Sequence, residues 1–162
     1  VDPSIDGDGL LAHVKAALDR TEPGFGTFFL ARFLDLTITY DDGERCCAVE
    51  LPYAPYLANP QGSLHGGVIA TAMDISMGHL CRRYLSVATT VDLQVRFFRP
   101  IIGDCRCEAR FLRPGGRLVH MESRMYDTAG RQAAHATGAW HRLDQSTPTT
   151  SIGGAGDRSD PQ

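Results

Sequence analysis

Two hydrophobic periods divide this chain. From Val68 to Tyr84 the inward-facing positions return every three to four residues: Val68 and Ile69, Ala72 and Met73, Ser76 and Met77, Leu80 and Cys81, then Tyr84. That spacing predicts one long helix with a single packed face. Arg82 and Arg83 at its end suit the negative pole of the helix dipole. Leu10, Leu11, Val14, Ala17 and Leu18 predict a shorter helix from about Gly9 to Arg20, broken by Thr21-Glu-Pro-Gly24. Elsewhere the period is two. Leu34 to Tyr40 and Arg45 to Leu51 read as a strand pair joined at Asp41-Asp-Gly43. After the long helix, Val91, Leu93, Val95 and Phe97 share one strand face opposite Thr90, Asp92, Gln94 and Arg96. Cys105, Cys107, Ala109 and Phe111 line the next strand, and Val119, Met121, Ser123 and Met125 the one after Pro114-Gly-Gly116. A last strand runs from Thr128-Ala-Gly130 to about Leu143. Phe25 to Phe33 fits either a short helix or the start of a strand. The loop from Pro52 to Ser63 carries three prolines and cannot be a central strand. This order predicts an α+β fold, an antiparallel sheet wrapped around one long helix. Residues 1–24 read as an N-terminal segment with a short helix, 25–143 as one domain, and 144–162 as a flexible Ser-, Thr-, Gly- and Pro-rich tail.

Two features of the long helix go beyond packing. Gly66 and Gly67 occupy its first turn, where each costs about 1 kcal/mol against Ala. Asp74 sits mid-helix among Ala, Met and Ile, where an unpartnered carboxylate is costly. A first turn without side chains lets a developing negative charge approach the unpaired N–H groups, as an oxyanion hole requires. A desolvated carboxylate on the same helix suits a nucleophile or general base. Eight residues separate Gly66 from Asp74, roughly 12 Å and about 80° on an ideal helix, so one carbonyl cannot touch both. If they share a site, Asp74 comes from a second, antiparallel copy of the helix, and the active unit is a two-fold dimer. Asn59 leads into the helix. As a lone Asn before Pro60 it reads more readily as a turn residue, but the surrounding motif favours an amide that holds a water or the reacting group.

The combined pattern Asn59-x-x-Gly62-x-x-His65-Gly66-Gly67, with Asp74 nine residues beyond His65, resembles the hotdog-fold acyl-CoA thioesterases of the phenylacetate-degradation (PaaI-like) group. Thr89 to Pro100 resembles that family's next strand, and the likeness extends over about residues 25–143. It implies a helix within 25–33, a role for His65 in shaping the oxyanion site, and a Thr90 hydroxyl that positions water against the acid. It also implies an acyl-CoA substrate, no cofactor and a homodimer or homotetramer. His79 departs from the Asp74 face by spacing and is expected at an interface or the surface.

Composition adds a charge asymmetry. The 162 residues carry a net charge of −3 and 43% hydrophobics, an ordinary globular composition that large single domains share. Residues 1–81 hold 4 basic and 11 acidic side chains, whereas 82–142 hold 11 basic and 5 acidic, every base in that stretch an Arg. The planar guanidinium suits phosphate, so Arg99, Arg113 and Arg117 are candidates for the coenzyme A phosphates, with Gly67 beside Gly66 as a further substrate contact. The acidic total and the lack of a basic helix speak against nucleic acid. With no long apolar run and an odd count of five cysteines, a reduced cytoplasmic setting off the membrane is expected. Cys105 and Cys107 share a face with no second pair to complete a metal site, so no metal is expected. The expected chemistry is hydrolysis of an acyl-CoA thioester. Gly66 would supply the oxyanion donor, Asp74 of the facing subunit the base or nucleophile, and Asn59, His65 and Thr90 would position the reactants. A hotdog-type enoyl-CoA hydratase or dehydratase would pair a differently placed Asp and His. A non-catalytic acyl-CoA-binding protein would have no need of an acid at position 74.

Overall fold

The structure, a computed structural model, describes residues 6–143; the tail expected from residue 144 lies outside the described residues. Helix α1 (Gly7–Asp19) and the short α2 (Phe29–Phe33) precede strands β1 (Thr37–Asp41) and β2 (Cys46–Leu51). A single 3-10 turn, Pro55–Leu57, leads to α3 (Gly66–Tyr84), and β3 (Ala88–Phe97), β4 (Cys105–Arg113), β5 (Leu118–Asp127) and β6 (Gln132–Arg142) follow. The six strands form one antiparallel sheet in the order β1-β2-β4-β5-β6-β3. The sheet packs around α3, as expected of the hotdog fold.

Helix α3 lies on the sheet because its inward face combines bulk with small residues. Met73, Met77 and Leu80 are fully buried, each worth about 1.5–3 kcal/mol. Ala72 and Ser76 let the sheet come close: the Cys107 thiol reaches the Ala72 carbonyl at 3.5 Å. The Ser76 hydroxyl bonds the Met73 carbonyl at 2.6 Å and lies 2.9 Å from that of Ser123. From the sheet come Val49, Leu51, Met121, Met125 and Trp140, all buried. The five cysteines are free and buried, and burial pushes the Cys105 thiol up to about 12 and Cys107 to about 11, which leaves neither as a thiolate near neutral pH.

Three local readings of the chain are corrected. The first strand begins at Thr37 rather than Leu34, because Asp35 turns the chain in the left-handed region (φ 48°) while Leu34 drops into the core. At the hairpin, Arg45 is no strand residue. It takes the left-handed position (φ 49°) and sets its guanidinium 5.5 Å from the Tyr84 ring and 5.1 Å from that of Phe111. The third concerns β3. Its register with β6 shifts between Thr90 and Asp92, so that Thr90 faces Trp140 and Leu93 faces Gly138. Val91 is the extra residue of this bulge and is 60% exposed rather than sharing the inner face with Leu93. The bulge requires Gly138, where an added Cβ would stand 2.4 Å from the Asp92 carbonyl oxygen.

Candidate active site

The mouth of α3 is built by a tight loop. The Asn59 side-chain oxygen accepts from Gln61 N–H (3.0 Å) and Ser63 N–H (3.2 Å), and its amide nitrogen donates to the Ser63 hydroxyl at 2.9 Å. Asn59 therefore shapes the turn, with one amide hydrogen left over. Leu64 N–H bonds the Ile101 carbonyl (2.8 Å) and His65 N–H that of Leu57 (2.9 Å), which fixes where the helix starts. His65 is the N-cap, and its Nδ1 accepts from Gly67 N–H at 3.0 Å. That bond takes the Gly67 donor expected to meet substrate. Among the described residues none accepts from Gly66 N–H, which remains the available donor at the positive end of a 19-residue helix. An added Cβ on Gly66 would lie 3.2 Å from Cζ of Phe97, so the ring approaches because residue 66 has no side chain. A pocket of about 410 Å³ opens here, lined by Asn59, Gly66, Ile69, Phe97 and Arg99.

Asp74 lies two turns along the same helix, half-buried. Thr90 Oγ1 donates to its Oδ1 at 2.9 Å. The bulge at Val91 makes this contact possible: simple alternation puts Thr90 opposite Leu93 and Val95, and the extra residue turns it to the helix side. Burial raises the Asp74 pKa above the usual carboxylate value, and the Thr90 hydrogen bond partly opposes that rise. A second pocket, about 210 Å³, is lined by Phe25, Phe28, Asp74, His79, Thr90 and Trp140.

His79 is a correction. Expected at an interface or the surface, it is 3% exposed and lines the Asp74 pocket. Its Nδ1 lies 2.7 Å from the Tyr40 hydroxyl, the Phe25 ring packs over it at 4.4 Å, and its Nε2 is buried without a hydrogen-bond partner among the described residues. Burial, then the Arg82 charge, pulls its pKa down to about 4, so the ring is neutral near pH 7. Leaving a buried nitrogen unsatisfied costs about 1–3 kcal/mol. Helical spacing set His79 some 140° from Asp74. It gave no sign that the loop at Phe25 and Gly26 folds across both.

The structure thus brings Asn59, His65, Gly66 and Arg99 to one pocket region and Asp74 and Thr90 to another. Arg113 and Arg117 are exposed at the β4–β5 hairpin, near the sheet end where Ala88 pairs with Arg142 and away from Arg99. Phe97, His79, Phe25 and Tyr40 were not among the residues singled out for the site. Phe97 and Phe25 could be read only as apolar side chains until the tertiary structure set them against glycines of α3.

Comparison with known proteins turns this geometry into a family. The model of the thioesterase superfamily matches residues 61–134, the span from the α3 mouth to the start of β6. SSO2140 of Saccharolobus solfataricus, provisionally named an esterase, is 32% identical over 116 residues, which cover 69% of this chain and 81% of that protein. The chain belongs to the thioesterase superfamily. Its solved structural relatives agree. The BH2602 protein of Bacillus halodurans, crystallised with CoA, aligns at a TM-score of 0.75 and 25% identity over 85% of this chain and 93% of its own. The E. coli PaaI protein from the phenylacetic acid degradation operon shares the fold at a TM-score of 0.70 and 18% identity, covering 82% and 96%. Among the described residues of this thioesterase-superfamily chain, no helix is long and apolar enough to cross a membrane.

Proposed function

We propose that this chain hydrolyses the thioester of an acyl-CoA at a site assembled from two copies. One observation carries the reading: a free helix-start N–H at Gly66 and a Thr90-bonded acid at Asp74 occupy separate pockets on one helix, roughly 12 Å apart. A two-fold axis would set the Gly66 pocket of one copy against Asp74 of the other. β3 offers the surface for this. It is an edge strand of ten residues with Val91 and Phe97 exposed, and such an edge pairs readily with a second copy. Antiparallel pairing along β3 would also carry Arg113 and Arg117 of one copy toward Arg99 of the other, a basic rim for the phosphates of CoA. The relative crystallised with CoA supports this ligand.

In the reaction, Gly66 N–H donates to the thioester oxygen as it gains charge. Asp74 either removes a proton from the attacking water or attacks the carbonyl carbon itself, giving an anhydride that water then opens. The carbon–sulfur bond breaks, and the products are the carboxylic acid and the CoA thiol. Thr90 orients the carboxylate. His65 holds the first turn by binding Gly67 N–H, and Asn59 holds the loop before it. Complementation between two inactive variants tests the shared site. A chain with Gly66→Pro and a chain with Asp74→Asn, mixed from the unfolded state, form hybrid dimers with one intact site each, and about a quarter of wild-type turnover returns. No recovery above the separate variants would place both groups in one chain. A parallel panel of enoyl-CoA and acyl-CoA substrates separates hydrolysis from hydration.

A further inference from the structure

Besides Asp74 and Thr90, the pocket has apolar walls, Thr89 and one buried imidazole that the hydrolysis does not use. Phe25, Phe28, Ile75 and Trp140 provide the walls, and His79 supplies the imidazole. Tyr40 engages Nδ1, and among the described residues Nε2 has no partner, although the ring is 3% exposed. The cover over this nitrogen is thin. The Phe25 ring lies on the imidazole at 4.4 Å and is itself 41% exposed. Gly26, at φ +104°, passes so close that an added Cβ would stand 2.9 Å from His79 Cε1 and 3.5 Å from Nε2. On the helix side Phe25 lies over Gly78, where an added Cβ would meet its Cζ at an ordinary contact distance of 3.5 Å.

We propose that His79 is a specificity-determining residue whose Nε2 hydrogen-bonds a hydroxyl at the far end of the acyl group, while the chain between lies against Phe25 and Trp140. This rests on the acyl-CoA hydrolase reading above. The hydroxyl follows from the neutral ring. If Tyr40 donates to Nδ1, Nε2 carries the hydrogen and donates; if Tyr40 accepts, Nε2 accepts. A hydroxyl meets either case. Residues five apart on a helix have Cα atoms about 9 Å apart, so a carbonyl at Asp74 and a hydroxyl at His79 suit a chain of about six carbons. A ligand of this kind turns the Phe25 ring off the imidazole while keeping it as an apolar wall, and satisfies His79 Nε2, which is buried without a hydrogen-bond partner among the described residues. A plain chain would bury it unsatisfied.

The test is a matched set: hexanoyl-CoA, 6-hydroxyhexanoyl-CoA and 3-hydroxyhexanoyl-CoA. The wild type is expected to favour the 6-hydroxy compound over hexanoyl-CoA by about tenfold or more in kcat/KM, with no such gain for the 3-hydroxy compound. His79→Phe, which removes both nitrogens, is expected to bring the ratio near one, and His79→Leu carries the same expectation if the Phe variant does not fold. A wild-type ratio near one, or a ratio that survives loss of the imidazole, overturns the assignment. Hydrolysis of none of the three by the wild type counts against the hydrolase reading instead. The ratio of binding constants from calorimetry then decides the role of His79 on the same terms.

Discussion

The two stretches of α3 proposed to act on the thioester are opposites in construction. At its start the useful group belongs to the backbone: Gly66 N–H, freed because His65 caps Gly67 and because no side chain at 66 stands in the way. In its middle the useful group is a side chain, Asp74, set in a half-buried wall and held by one hydroxyl from another element. The first is mostly local structure, a cap and a bare turn, anchored by the Leu64 bond to Ile101. The second needs a sheet bulge, a small residue at 138 to make room for it, and the loop bearing Phe25. A backbone donor at a helix pole is available in any protonation state near neutrality, whereas a desolvated acid holds a raised pKa and depends on its neighbours.

Substitutions can sharpen this contrast, beginning with the largest effect. Asp74→Asn keeps the shape and removes the base or nucleophile. Turnover is expected to fall by about 10³-fold or more with the oligomer unchanged on gel filtration, and near-normal turnover would remove Asp74 from the chemistry. Gly66→Pro deletes the N–H without breaking the helix. The first helical position tolerates Pro, and His65 already has the extended backbone (φ −63°, ψ 136°) that precedes proline. Its kcat is expected to fall by about 10²–10³-fold with helix content preserved by circular dichroism. Next comes stability against pH. The native His79 takes its proton only near pH 4, whereas an unfolded chain takes it near 6.5. Between those values the unfolded state binds the extra proton, so stability falls as pH drops from about 6.5 to about 4, by on the order of 3 kcal/mol. His79→Phe is expected to lose that part of the pH dependence in urea titrations.

The smallest effect is expected at Thr90→Ala, about tenfold in kcat, and its direction in pH is the sharper readout. Losing the hydrogen bond that lowers the Asp74 pKa lets burial raise it further, so the acid limb of the rate profile moves to higher pH. A limb that stays in place would mean that Asp74 is not the group being titrated.

The element types were legible because they depend on residues close in the chain. Period and flanking residues placed α3, β4 and β5 to within a residue or two, and the bare first turn with one acid eight positions on marked both halves of the proposed site. A resemblance in nine residues plus that acid named the family. The sequence could not show that Asn59 would spend its amide oxygen on two N–H groups of its own loop, or that Gly67 would give its donor to His65. Alternation misplaced Thr90 because it assumes an unbroken register, and the bulge at Val91 depends on Gly138, more than forty residues away in another strand. His79 looked like surface because helical angle measures only direction about an axis. Its burial comes from β1 and the Phe25 loop closing over that side. Periodicity, capping and the choice of bare or acidic positions are local, and the chain alone determined them. Strand order, bulge placement and the covering of His79 rest on contacts between distant segments, whose free energies compete only once the sheet has formed around the helix.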